Sequence, residues 1–167
     1  AVKLAQKQIE EKNPALENKA EVAEAVGVGA VVFHDLKNDR LNNFDFNLEE
    51  VVRFEGETGP YVQYSHARAM SILRKAGNPE LDAAGKYRLD DSEAWETLRL
   101  LADFPATVLK AVEEYEPSVI AKYGIHLAKA FNRYYAHSRI LEDDDQKEAR
   151  LALVKSVAEV LKESLRL

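Results

Sequence analysis

Apolar positions recur at intervals of three and four along nearly the whole chain, and no alternating apolar–polar run persists, so the pattern predicts helices and no sheet. The first helix covers Val2 to Glu11. The Asn13-Pro14 step ends it, because a proline disfavours helical geometry in the residue before it. A second helix runs from about Glu17 to His34, with Val22, Val26, Gly29 and Phe33 as its core-facing stripe. Gly27 and Gly29 look like the opening of a GxGxxG phosphate loop. However, Val32 stands where the third glycine would be and no strand precedes, so close helix packing is the better account. From Asp35 to Asp45 the chain is polar and irregular, as in a linker or a loop laid on a neighbouring domain.

Asn47 can cap a short helix through Phe54, with Glu49 and Glu50 at its positive end. Thr58 caps the next helix and Pro60 sits in its first turn, where the missing N–H costs nothing. That helix reaches Ala76 before Gly77 stops it. A loop from Asn78 to Leu89 leads to a helix capped at Asp90, with Trp95, Leu98 and Ala102 facing the core. Pro105 opens another helix to Tyr115, and Pro117 opens a long one to Leu141 whose packed side is Leu127, Phe131, Tyr134 and Leu141. After the acidic break at Glu142 to Asp145, a last helix repeats Ala149, Leu153, Val157, Leu161 and Leu165 at spacings of four. The expected fold class is all-α, a helical bundle, with residues 1–55 set apart from a bundle of residues 56–167.

Composition adds a soluble, globular character: 46% of the 167 residues are hydrophobic and 31% charged. The longest apolar run, Ala25 to Phe33, is too short to span a membrane, so a cytoplasmic protein without a membrane partner is expected. With no cysteine, disulfides, thiolate metal sites and a cysteine nucleophile are excluded. The net charge of −6, taken whole, argues against nucleic acid, but its distribution does not. Thr58 to Pro79 holds no acid and carries +3, and Pro117 to Leu141 holds none and carries +4, so the rest of the chain carries −13. These two segments also hold Tyr61, Tyr64, Tyr123, Tyr134 and Tyr135. Cations interleaved with rings suit phosphates and unpaired bases. On composition alone, buried helices that exclude carboxylates would look the same.

Catalytic patterns are missing. His34, His66, His126 and His137 lie on separate turns, and HExxH, a Walker loop and GxSxG do not occur, so no catalytic or metal residue is assigned. Helical faces say more. Tyr61, Tyr64, Arg68, Ser71 and Lys75 form one stripe, opposite the apolar Val62, Ala69, Leu73 and Ala76. On the long helix, Lys122, His126, Lys129, Arg133 and His137 make a basic side, and Asn132, Tyr135 and Arg139 a third line. An amide, a ring and a guanidinium in line could read a splayed-out base.

Four segments, VGVGAVVFHDLKNDR at 26–40, GETGPYVQYSHAR at 56–68, FEGETGPYVQY at 54–64 and FNRYYAHSR at 131–139, closely resemble the C-terminal part of the arginyl-tRNA synthetase family. The resemblance implies a class I aminoacyl-tRNA synthetase that joins arginine to its tRNA with ATP and Mg. In that family an all-helical anticodon-binding bundle, named for a DALR motif, follows the catalytic half. Residues 1–55 then look like the end of the catalytic half and its stem-contacting connection, and residues 56–167 like the bundle. By the same resemblance, Tyr64 and Arg68 match positions that approach the anticodon, with Asn132 and Tyr135 carried over from the FNxxY-like segment. The stem phosphates would lie along Lys122, Lys129, Arg133 and Arg74 or Lys75, with Arg139 on the base-reading line of Asn132 and Tyr135. The implied partner of a monomeric chain is tRNA(Arg), not DNA. The HIGH-like and KMSK-like signatures are absent from the 167 residues, so this chain alone should be inactive in arginine activation and hold no cofactor. A literal DALR is absent too; Glu148, Ala149 and Arg150 before Leu151 come nearest, with no function assigned. The rival reading is a helical protein-interaction module whose tyrosine stripes form a protein interface without an RNA ligand.

Overall fold

The computed structural model describes residues 1–81, 85 and 87–167. Seven helices and no strand occur among these residues: α1 (Val2–Lys12), α2 (Lys19–Lys37), α3 (Leu48–Val51), α4 (Gly59–Lys75), α5 (Ser92–Glu114), α6 (Ser118–His137) and α7 (Lys147–Arg166). Most of the start and stop chemistry is local. Asn47 Oδ1 accepts the N–H of Glu49 at 3.0 Å, although α3 stops at Val51 and not at Phe54. Thr58 Oγ1 accepts the N–H of Tyr61 at 3.2 Å, and Gly77 ends α4 in the left-handed region at φ +81°. Part of the predicted loop from Asn78 to Leu89 lies outside the described residues.

Several expectations are corrected. The helix predicted to break at Pro105 is continuous, running through that residue as α5. Pro105 itself is exposed, while Ala94, Thr97 and Ala111, with Leu101 and Phe104, keep the helix packed along its length. The buried face of α5 is accordingly one residue out of step with the predicted one. Trp95 is 70% exposed, and Leu98 and Ala102 also face solvent. Its cap is Asp91, which accepts the N–H of Ala94 at 2.7 Å, because Asp90 is drawn to Arg88 at 2.9 Å. Helix α6 ends at His137, where Ser138 turns extended, so Leu141 is exposed and not packed; Leu165 is exposed as well.

Helix α6 runs through the middle, packed by α2, α4, α5 and α7. Its Phe131 and Tyr134 are fully buried together with Val62 and Ala69 of α4 and Val154, Val157 and Leu161 of α7. Tyr123 Oη donates to the carbonyl of Leu100 at 2.8 Å, and burial pushes that phenol above its ordinary range. The α1–α2 pair forms its own small core of Ala5, Ile9, Ala23 and Val26, and α2 packs on α4 and α6. A side chain at Gly27 would collide with the backbone of Val2 at 2.6 Å; close helix packing explains that glycine.

Two polar anchors fix the loops. Arg150 is buried at the start of α7; its guanidinium donates to the carbonyls of Ile140 and Glu142 and pairs with Asp144 at 2.7 Å. Arg40, in the crossing from α2 to α3, donates to the carbonyls of Glu114 and Tyr115 at the end of α5 and pairs with Glu116 at 3.3 Å, while Phe44 and Phe46 stack edge-on against His34.

Replacing Arg150 with Ala leaves the Ile140 carbonyl without a donor and the Glu142 carbonyl with only the Asp144 N–H, and urea titration should register a loss of about 2–3 kcal/mol. Burial between α4 and α7, aided by Lys162, holds His66 below its ordinary 6.5. The folded chain therefore favours the neutral ring and the unfolded chain takes up the proton first. Stability should fall as pH drops below about 6.5 and level off once the folded protein is also protonated; thermal melts of His66→Gln should lack this step.

Candidate nucleic-acid interface

Helices α4 and α6 run side by side in the same direction, and tyrosine rings and one guanidinium group meet along their shared edge. Three- and four-residue spacing puts Tyr61, Tyr64, Ser65 and Arg68 along the edge of α4, and Asn132 and Tyr135 along that of α6. The Arg68 guanidinium lies between the Tyr64 and Tyr135 rings, with Cζ 4.8 Å from each centroid. It donates to Asn132 Oδ1 through Nη1 and to Tyr64 Oη at 3.2 Å through Nη2. No carboxylate among the described residues lies within ion-pair distance of Arg68, so a half-buried cation stands uncompensated. Both rings reach solvent, Tyr64 at 47% and Tyr135 at 44% exposure, whereas the adjacent Tyr134 is fully buried in the core. Phe54 meets the Tyr64 ring edge-on at 6.4 Å and carries Lys12 5.5 Å above its own face, which extends the aromatic and cationic surface toward α1.

The structure thus brings Tyr64, Arg68, Asn132 and Tyr135 into one cluster. The remaining candidates stand apart. Lys129 pairs with Glu57 at 2.8 Å, and Arg133 pairs with Glu96 at 2.6 Å. Lys122 turns back to Ser118 Oγ at 3.2 Å on its own helix, about 15 Å along the axis from Asn132. Lys75, at the end of α4, and Arg139, just past α6, are exposed and make no ion pair among the described residues. The Lys129 ammonium, followed in smaller measure by Lys37 and His126, holds the Glu57 carboxyl below the usual carboxylate range.

Sequence reasoning passed over Ser65, Glu57 and Glu96. Glu57 had a visible signal, being the last carboxylate before the first acid-free segment. Ser65 had only its position four residues from Tyr61, on the side of α4 that turns out fully buried. An apolar groove of about 620 Å³ opens on the far side of α4, lined by residues such as Phe33, Gln63, Val112, Tyr115, Ile120 and Leu165, and it does not include the cluster.

Residues 62–167 match the family described as the DALR anticodon binding domain. The chain belongs to that family. Ahead of the DALR domain, residues 1–48 match the catalytic domain of class I (R) tRNA synthetases. The chain is 79% identical over its full length to the arginine–tRNA ligase of Ligilactobacillus salivarius and 71% identical to that of Enterococcus faecalis, covering 30% of each. It therefore spans about 30% of the length of the curated relatives it matches. Among solved structures, arginyl-tRNA synthetase of Thermus thermophilus superposes with a TM-score of 0.88 at 37% identity, covering 99% of this chain and 29% of that one. The enzyme of Plasmodium falciparum reaches 0.85 at 19% identity, a likeness of DALR-domain fold alone.

Two carboxylates, Glu57 and Glu96, neutralise cations on the exposed side of the DALR domain. Glu57→Gln should leave the fold intact and increase retention on immobilised single-stranded RNA, with a log–log salt slope steeper by about 0.7 for the one lysine released.

Proposed function

We propose that this chain is the anticodon-reading part of an arginine–tRNA ligase and that its partner is tRNA(Arg). The observation that carries the reading is Arg68, a cation with no carboxylate partner among the described residues, held between two tyrosine rings that are open to solvent. Anticodon bases are unpaired and can be turned out of their stack. Two of them would find ring faces at Tyr64 and Tyr135, each contact contributing about 1–3 kcal/mol. Arg68 would supply donors to a base edge or to the phosphate between two bases. Lys129 and Arg133 would exchange Glu57 and Glu96 for phosphates, and Lys75, Lys122 and Arg139 would meet the backbone farther out.

Joining arginine to tRNA with ATP and Mg would belong to the part of such an enzyme that this chain does not cover. The described residues form neither a phosphate loop at Gly27 nor a metal cluster. The space at Gly27 is filled by the start of α1, and no group of three or more His, Asp or Glu among the described residues could hold a metal ion. A division near residue 55, with α1 and α2 closing the catalytic half and α4 to α7 forming the reader, agrees with the two family matches. The chain would act in the cytoplasm as a monomer; among the described residues no helix is long and apolar enough to cross a membrane.

The test is a titration with a tRNA(Arg) transcript and with one whose anticodon bases are replaced, at low and moderate salt. Binding should prefer the native anticodon and weaken steeply with salt. Tyr64→Ala and Arg68→Ala should each weaken it about tenfold or more without unfolding the bundle. Binding indifferent to both salt and anticodon would instead support a protein-docking surface, and unchanged affinity in both variants would reject the site.

A further inference from the structure

We propose that Asn132 is a positioning residue that aims Arg68 and does not itself touch the RNA, with Ser65 and Tyr61 as the fixed groups behind it. This rests on the reading of Arg68 and its two tyrosines as the RNA-facing site.

A side-chain amide has two N–H donors and one carbonyl oxygen. In Asn132 all are engaged within the protein. Nδ2 donates to Tyr61 Oη at 3.0 Å and to Ser65 Oγ at 2.7 Å, and Oδ1 accepts from Arg68 Nη1. The orientation of this amide is also determined. Ser65 has already given its proton to the carbonyl of Tyr61 at 2.8 Å, so toward Asn132 it can only accept. Reversing the amide would set its NH2 against the guanidinium, donor against donor, and its oxygen against a hydroxyl with no proton to give. Hydrogen-bond donation therefore runs one way, from Arg68 through Asn132 and Ser65 to the Tyr61 carbonyl of the α4 backbone. It passes through Ser65, which has no exposed surface and cannot reach a ligand.

For Arg68 the consequence is a set position. The Tyr64 and Tyr135 ring centroids each lie 4.8 Å from its Cζ, and Asn132 Oδ1 and Tyr64 Oη accept two of its five N–H groups. Three donors remain, held at a defined angle before any ligand arrives. A flexible arginine would have to lose that freedom on binding.

A double-mutant cycle on the 167-residue chain with the tRNA(Arg) transcript tests this, using Arg68→Ala, Asn132→Leu and the pair. Asn132→Leu alone should weaken binding about tenfold, the effect of a lost hydrogen bond to a charged group. Adding Arg68→Ala should then cost less than about threefold more, because contacting residues are not additive. Ser65→Ala, out of reach of RNA, should weaken binding in the same direction by a smaller factor. In the free protein, nitrogen-15 NMR of the guanidinium should show slow rotation at Arg68 in the wild type and fast rotation in Asn132→Leu. Additive losses would overturn the proposal, because Asn132 would then contact RNA independently, and so would unchanged guanidinium rotation. If the wild-type chain does not bind the transcript, it is the anticodon reading that fails, and the NMR comparison still decides whether Asn132 holds Arg68. If melting shows that Asn132→Leu has unfolded, Ser65→Ala takes its place in both the cycle and the NMR comparison.

Discussion

Helix α6 has to satisfy four neighbours at once, and that demand shapes the rest of the chain. Ala121, Gly124, Ala128 and Ala130 let other helices come close, while Tyr123, Phe131 and Tyr134 fill the space between them. So much of the circumference is enclosed that only a narrow strip meets water along the length of the helix, and Lys122, His126, Arg133 and His137 stand on it. The strip is therefore basic by default. The carboxylates that answer it come from elsewhere, Glu57 from ahead of α4 and Glu96 from α5, and they reach Lys129 and Arg133 but not Arg68.

The two acid-free segments turn out to be the two helices that meet along this edge. Exclusion of carboxylates by burial and provision of a cationic surface had seemed competing accounts, yet both hold in the same helices. Val62 and Ala69 are fully enclosed on one side of α4, and Arg68 stands next to Ala69 on the other. A carboxylate on the inner side would carry a desolvation cost, and on the outer side it would neutralise the guanidinium.

Much of the fold was legible where one residue decides the matter. Asn47, Thr58 and Gly77 begin or end helices through their own side chains or backbone freedom, and such signals do not depend on distant packing. The face of α5 was not legible, because its large apolar residues fall on both sides. Ala94 and Thr97 make the closest approach because they are small, which turns Trp95 outward. Pro105 misled for a related reason: packing on one side keeps a helix going through a residue that would end it in isolation. In the site, the spacing of Tyr64 and Arg68 was enough to place them together. The role of Asn132 depends on Ser65 and Tyr61, 67 and 71 residues earlier, and no spacing rule spans that distance.

Arg40 changes what the crossing between α2 and α3 is. A free tether of that length would let the two ends wander, so that anything held at one end would meet the other only at a time-averaged local concentration. Here the guanidinium is fastened to the last carbonyls of α5, where the helix dipole favours a cation, and α2 is packed against α4 and α6. The crossing acts as a rigid joint. Whatever binds along the edge of α4 and α6 is held at a fixed reach and angle from α1 and α2, and that lever arm is set by the fold before any partner arrives.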